Sequence, residues 1–392
     1  MKSIKQLRNL AGKRVLVRVD FNVPIKNNKV VDNTRILAAI PTLKYLILKK
    51  AKIILMTHLG RPKGNVVTEL SVTPVAKRLS ELLKKKVEKI SVSTGKKVEN
   101  AITKLKSGGI LFLENIQFEP GEITKDIKLS KTLASYADYY VTDNFAQAHR
   151  DYASISGVTK YIPSYAGLLL EQEIKGLTKV IKNPKKPFVV VLGGIKMETK
   201  VPVMKNLLPK CDYMLIGGGI LNTYLKAKGY SVGNSLVDMN FKKEALLYGK
   251  NKKVIKPVDV VVGTLDGKKY RVVEIKSKSH EICKKGEAIL DCGPKTIQLF
   301  ATYIKKAQTL VWNGAMGYFE QKPYDVGTLS IARLVASRSK GKAYGVIGGG
   351  ETLQSMDMVG MTEYIDLVST GGGAMLEYLS GKELPGIVAV SK

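Results

Sequence analysis

Residues Phe188 to Gly194 read FVVVLGG, five apolar residues that stop at a glycine pair. The pattern returns at Tyr213 to Gly219 (YMLIGGG), Tyr344 to Gly350 (YGVIGGG) and Asp366 to Gly373 (DLVSTGGG). Each reads as a buried parallel strand ending where backbone must come very close to something. Glycine has no Cβ, so its N–H groups can wrap a phosphate and lead straight into a helix N-terminus. Ligands of open parallel sheets bind outside the carboxyl ends of strands. One such strand is compatible with a tight turn, whereas several in one domain point to a nucleotide site along a whole sheet edge.

The first half also alternates strand and helix. Arg14 to Asn22 (RVLVRVDFN), Lys52 to Leu59 (KIILMTHL), Ile110 to Asn115 (ILFLEN) and Tyr139 to Asn144 (YYVTDN) are strand candidates, with helical patterns at Thr34 to Lys50 and Thr73 to Lys86 between them. Such alternation implies βαβ units and a parallel sheet. These strand ends carry Asp, Asn, His and Arg, which suits a small polar ligand better than a nucleotide. A helix from about Tyr165 to Lys182 joins the halves, and Asn183-Pro184 stops it. The 392 residues favour two domains. The fold class expected is α/β: two doubly wound parallel-sheet (Rossmann-like) domains joined by a helix and a hinge.

The net charge is +31, but only ten of the 64 basic residues are arginine and the lysines are spread in short doublets along the whole length. Polyanion binders cluster their basic residues among aromatics, so this bias reads as solvated faces and no dedicated nucleic-acid role is expected. No segment reaches the ~18 apolar residues of a membrane span. The start, MKSIKQLRNL, lacks an apolar stretch, so a secretory leader is not expected. Cys211, Cys283 and Cys292 offer neither a disulfide framework nor zinc spacing, which suits a reducing cytoplasm. The G-x-G-x-x-G, P-loop and protein-kinase signatures are absent.

Several constellations carry chemistry. In a strand Asp20 and Asn22 lie on one face and can bind hydroxyls, while Arg35 opening the next helix can fork onto a phosphate or carboxylate. An N-cap with surface ion pairs explains the same residues. His58 with Arg61, and His149 with Arg150, place two His/Arg pairs at strand ends as an anion basket; capped turns with solvated arginines are the competing account. Lys196 and Lys200 are four apart, which places them on one helix face beside a glycine turn, able to meet a phosphoryl group. Two exposed lysines would look the same. Asn313 follows another apolar strand, Glu320 can accept from ribose hydroxyls, and Glu351 with Thr352 can meet Mg²⁺ on a nucleotide. Gly371 to Gly373 open the helical pattern AMLEYL, a further anion site.

Taken in order, RVDFNVP, HLGRP, LEN, AHR, GGIKMETK, LDCGPKT, VWNGAMGYFE, GGGET and STGGGA resemble the phosphoglycerate kinase family over nearly the full length. The resemblance implies an ATP-dependent phosphotransferase with a carboxyl acceptor. It would move a phosphoryl group between 1,3-bisphosphoglycerate and Mg-ADP, giving 3-phosphoglycerate and Mg-ATP, in glycolysis and gluconeogenesis, as a cytoplasmic monomer. It implies a glycerate-binding domain over 1–164 plus 379–392, a joining helix over 165–183 and a nucleotide-binding domain over 184–378. Asp20, Asn22, Arg35, His58, Arg61 and Arg150 fall on glycerate positions. Lys196, Lys200, Gly218, Gly219, Asn313, Glu320, Gly349, Gly350, Glu351, Thr352, Gly371 and Gly373 fall on nucleotide positions. Arg35, Lys200 and Gly372 are the expected catalytic groups and Glu351 the expected Mg²⁺ ligand. A hinge closure would bring the ligands together, with the joining helix and the Ser369 to Gly371 turn as candidate hinges. The chain departs from the family at Gln117 (LENIQF, usually Arg), Glu351 (usually Asp) and Ala315 (usually Pro), the last expected to loosen the nucleotide pocket wall. Two alternatives stay open: another acyl-phosphate kinase of the same fold, and an inactive polyanion-binding homologue.

Overall fold

A computed structural model of the chain describes residues 1–276 and 280–391. The chain forms two compact units, Met1–Ile174 with Glu383–Lys392, and Lys175–Lys382.

The first unit runs β1 (Arg14–Val19), a hairpin of β2 (Ile25–Lys26) and β3 (Lys29–Val30), α1 (Thr34–Leu48), β4 (Lys52–Met56), α2 (Thr73–Leu83), β5 (Glu88–Lys89), α3 (Lys96–Lys104), β6 (Ile110–Phe112), α4 (Ile127–Ser135), β7 (Tyr139–Asp143), β8 (Ser164–Ala166) and the start of α5 (Leu168–Lys182). Six strands pair in the order β5-β6-β4-β1-β7-β8, all parallel, with Val17 level with Leu55 on one side and Val141 on the other. Strands after β1 grow towards β5, and the chain then returns to lay β7 on the opposite flank. That reversal makes β1/β7 a switch point, where the carboxyl ends leave a crevice. On α1, Ile36, Ala39, Leu43 and Leu46 repeat at helical spacing and are buried. The joining helix starts three residues later than its apolar pattern suggests, because Ser164–Ala166 extends the sheet beside β7. Its first turn is fixed by Asp143, whose Oδ1 accepts the Leu169 N–H at 2.9 Å and the Leu170 N–H at 3.2 Å. It stops at Lys182, before Asn183-Pro184.

The second unit runs β9 (Phe188–Leu192), α6 (Met197–Leu207), β10 (Tyr213–Ile216), α7 (Gly218–Ala227), α8 (Lys242–Gly249), β11 (Val254–Ile255), β12 (Asp259–Gly263), β13 (Tyr270–Glu274), β14 (Ala288–Cys292), α9 (Pro294–Ile304), β15 (Thr309–Asn313), α10 (Val326–Ser339), β16 (Tyr344–Gly348), α11 (Gly350–Val359), β17 (Leu367–Ser369) and α12 (Gly373–Leu379); α13 (Pro385–Val388) belongs to the first unit. Its parallel sheet is ordered β11-β10-β9-β15-β16-β17, so the switch point lies between β9 and β15. All four glycine-ended runs are strands of this one sheet. β9 and β15 are buried at every residue, as a sheet covered on both faces requires. A second sheet of three antiparallel strands, β13-β12-β14, is a departure from the doubly wound plan. The chain's one tryptophan, Trp312, is fully buried in the β15 core with Phe300, Ile304 and Met356. Among the described residues, no helix is long and apolar enough to cross a membrane.

Phe300→Ala should cost the second unit about 3–5 kcal/mol, a cavity cost for a buried aromatic. Denaturant unfolding followed by Trp312 fluorescence reads it. A loss below about 1 kcal/mol would mean the α9 face is not packed as described.

Candidate functional site

At the first switch point the strand end of β1 carries Asp20 and Asn22. Asp20 is buried and its Oδ2 accepts from Arg35 Nη1 at 2.6 Å. Burial raises its carboxyl pKa and Arg35 opposes that rise. Asn22 Oδ1 accepts the Gly60 N–H at 3.0 Å, tying β1 to the turn that holds Arg61. His58, at the end of β4, is buried with Nδ1 at 3.8 Å from Asp20 Oδ1 and 3.4 Å from Arg18 Nη2. Arginine only donates, so Nδ1 accepts and the neutral ring carries its proton on Nε2. Burial first, then the charges of Arg18, Arg35, Arg61 and Arg150, hold the imidazole pKa well below its ordinary value. The charges of four guanidiniums thus reach His58. Arg61 and Arg150 themselves are exposed.

Arg18 was no site candidate in the sequence, yet its guanidinium is 0 % exposed. Nε donates to Ser154 Oγ at 2.9 Å and Nη1 to the Val19 carbonyl at 2.5 Å. Ser154 Oγ donates in turn to Glu122 Oε1 at 2.5 Å, and its N–H to Glu122 Oε2 at 2.9 Å. Burial raises the Glu122 pKa, and the Arg18 charge counters it. Neither Glu122 nor Ser154 sits in a recognisable motif, so only the packed structure reveals the chain from Glu122 to His58. Gln117 is buried, its N–H donates to Asn115 Oδ1 at 3.1 Å, and its carbonyl accepts from Gly64.

At the second switch point, the ends of β9 and β15 meet backbone to backbone. Gly193 N–H donates to the Asn313 carbonyl at 3.0 Å and Gly194 N–H to the Ala315 carbonyl at 2.7 Å. A Cβ on Gly193 would overlap the Ala315 carbonyl. Gly218 and Gly219 join the lacing through the Met316 carbonyl (3.1 Å) and the Gly194 carbonyl (2.9 Å). Lys200 projects here from α6, only 6 % exposed, and its ammonium donates to Asn313 Oδ1. Burial lowers its pKa to about 8, and the Glu351 carboxylate opposes the fall. Asn313 Nδ2 is spent on the Gly348 carbonyl at 2.5 Å. Glu351 is exposed, and its Oε2 accepts the Ala315 N–H at 3.3 Å, a donor that proline at 315 would lack. Thr352 is buried and its hydroxyl accepts the Gly314 N–H at 2.7 Å, so it holds the glycine turn.

Lys196 requires a correction. It caps α6 in extended conformation and is exposed, whereas Lys200 lies inside the helix and is buried. They do not share a helix face, because the helix starts only at Met197. Gly349 (φ +97°) caps α11, and Gly350 starts it. Gly371, Gly372 (φ +48°) and Gly373 follow β17 on the same sheet edge.

A cavity of about 330 Å³ opens beside this cluster, lined by Gly194, Gly218, Gly219, Glu320 and Glu351 on its polar side and by Leu236, Leu265 and Leu290 among its apolar walls. Asp291, which is no site candidate in the sequence although it lies in LDCGPKT, also lines it. Burial pushes its pKa up to about 8, and its Oδ2 accepts the Gly327 N–H at 2.6 Å. With Thr328, which accepts from Met316 and Gly317 at 3.1 Å each, it fastens the loop that carries Glu320. Among the described residues, no cluster of three or more His, Cys, Asp or Glu is placed to hold a metal.

Comparison with known proteins points to a single family. The sequence profile of the family described as Phosphoglycerate kinase matches residues 4–382. A phosphoglycerate kinase of Thermosipho africanus is 45% identical over 390 residues, 98% of this chain and 96% of that protein. One from Dictyoglomus turgidum is 44% identical over 402 residues, 99% of this chain and 98% of that protein. Among solved structures, phosphoglycerate kinase from Coxiella burnetii superposes with a TM-score of 0.86 at 39% identity, covering 99% of this chain and 98% of that one. The Pyrococcus horikoshii enzyme gives 0.87 at 32% identity, covering 100% and 98%.

The His58 ring should stay neutral well below pH 6.5 in the folded chain. As pH falls through that value the unfolded chain takes up a proton that the folded chain refuses, so His58 subtracts stability from there downward. His58→Gln should flatten the acid side of the stability curve. An NMR titration giving an ordinary imidazole midpoint would contradict the basket.

Proposed function

The chain belongs to the phosphoglycerate kinase family, and from that premise we propose how its residues divide the work of a reversible transfer between 1,3-bisphosphoglycerate and Mg-ADP. The observation that carries the reading is Lys200, a buried ammonium at the sheet's switch point, beside Glu351 at the mouth of a largely apolar cavity.

On the first unit, Asp20 and Asn22 take the hydroxyl side of the glycerate, and Arg35, Arg61 and Arg150 take its anionic groups. His58 contributes a neutral Nε2–H donor. Its depressed pKa supports this, because a protonated ring would only add charge already supplied by arginine. Asp20 holds Arg35 in place through their 2.6 Å contact.

On the second unit, the base and ribose occupy the cavity, with Glu320 accepting from the ribose hydroxyls. Gly218 and Gly219, whose amides are spent on backbone carbonyls, let the phosphates approach closely for want of side chains. The amides of Gly349, Gly350, Gly372 and Gly373, at the same sheet edge as Gly371, face the phosphates, with Lys196 nearby. Mg²⁺, when bound, neutralises charge shared between nucleotide phosphate oxygens. Glu351 would hold it: a single exposed carboxylate suits an ion that keeps most of its coordination on phosphates and water.

The chemistry needs no general base. In the ATP-forming direction a β-phosphate oxygen of ADP attacks the acyl phosphorus, the bond from phosphorus to the carboxyl oxygen breaks, and 3-phosphoglycerate leaves as a carboxylate. In reverse, the carboxylate attacks the γ-phosphorus and ADP leaves. Arg35 on the glycerate side, and Lys200 with the Gly372 amide on the nucleotide side, stabilise the charge on the equatorial oxygens. Three free, buried cysteines suit the cytoplasm. We read the working form as a monomer, as the resemblance implies.

A coupled assay with 3-phosphoglycerate and Mg-ATP should show turnover, and Lys200→Ala should lower kcat by about 10²–10³-fold. No turnover from folded protein that binds ATP would overturn the reading. Lys200 acts as the ammonium, so kcat/KM for Mg-ATP should fall as pH rises through about 8. Lys200→Arg should move that limb out of range; an unmoved limb would assign it to another group.

A further inference from the structure

Glu122 is a buried carboxylate that no step of the proposed reaction uses. It holds one residue, Ser154, with both oxygens: Oε1 accepts from the hydroxyl at 2.5 Å and Oε2 from the N–H at 2.9 Å. The Ser154 carbonyl accepts from the Tyr140 hydroxyl at 2.6 Å, so the residue is held at three points. With its proton given to Glu122, Ser154 Oγ presents only lone pairs, and these take the Arg18 Nε–H at 2.9 Å. A guanidinium is planar and rigid. Ser154 fixes its Nε and the Val19 carbonyl its Nη1, so the direction of Nη2 follows. That nitrogen lies 3.4 Å from His58 Nδ1.

His58 Nδ1 has a second neighbour with the opposite demand. Asp20 Oδ1 lies 3.8 Å away and favours a proton on Nδ1. Arg18 favours the other tautomer, with Nδ1 bare and the proton on Nε2. The Arg18 plane decides between them, and Glu122 holds that plane. We propose that Glu122 is a positioning residue for His58: through Ser154 and Arg18 it keeps the imidazole proton on Nε2, as the donor offered to the glycerate. The inference rests on the proposal that His58 donates to that ligand. Glutamine at 122 cannot take over this task. Its amide has one acceptor atom, whereas Ser154 offers two donors, and the buried guanidinium loses a compensating charge. Once its plane is released, Arg18 no longer has to face Nδ1, and the ring can turn to the Nδ1–H form beside Asp20.

The chain has three histidines, His58, His149 and His280, so ¹⁵N–¹H correlation of the imidazoles, assigned with His58→Gln, reads the tautomer directly. In the full chain without ligand at neutral pH, His58 should carry its proton on Nε2. A proton on Nδ1 there would overturn the proposal, and this reading needs no variant to fold. Glu122→Gln and Ser154→Ala break the same link at different points, and each should move the ring towards the Nδ1–H form. A ring that keeps its Nε2 proton in either folded variant would overturn the proposal. Both variants should also raise KM for 3-phosphoglycerate on the order of tenfold, the scale of one hydrogen bond, and keep KM for Mg-ATP within about twofold. Equal rises in both KM values with an unmoved ring would mean general loosening and overturn the positioning role. If the ring moves and KM for 3-phosphoglycerate does not, the control of the proton by Glu122 stands, and it is the reading of His58 as a glycerate donor that fails.

Discussion

The second unit depends on two backbone segments passing closer than any side chain allows. Gly193 and Gly194 leave β9 while Gly314 and Ala315 leave β15, and their peptide groups bond across the switch point. Gly314 adopts φ +90°, and a Cβ there would crowd the Gly193 peptide. Glycine is needed here for steric and conformational reasons together. With that contact in place, α6 starts where it brings Lys200 to Asn313, and the Ala315 N–H meets Glu351. The departures at 315 and 351 thus meet in one hydrogen bond.

The two units solve the same geometric problem with different chemistry. Each places its crevice where strand order reverses, between β1 and β7 or between β9 and β15. The first lines it with side-chain charge, the second with glycine amides and a single buried ammonium. Charge from side chains fits a small ligand of fixed shape, whereas amides fit a chain of phosphates.

Much of this was legible in the sequence because its signals are local. A run such as FVVVLGG states both burial and close approach within seven residues, and all four such runs are strands of one sheet. The link from Arg18 through Ser154 to Glu122 was not legible: Arg18 opens the RVDFNVP motif, but its partner Ser154 lies over a hundred residues on, and neither Ser154 nor Glu122 sits in a motif. Lys196 and Lys200 were read onto one face because their spacing fits a helix, but spacing does not say where the first turn begins. The antiparallel sheet of β12, β13 and β14 carries no glycine-ended run to announce it.

The burial of Arg18 has a consequence for how the first unit fails. Its guanidinium has no exposed surface, and its partners are a core serine, a strand carbonyl and a histidine. Such a charge cannot fray residue by residue into solvent as a surface arginine does. It reaches water only when the surrounding segments open together. The Arg18 share of the field at His58 is therefore all-or-none, kept until a cooperative opening removes it, unlike the shares of the exposed Arg61 and Arg150.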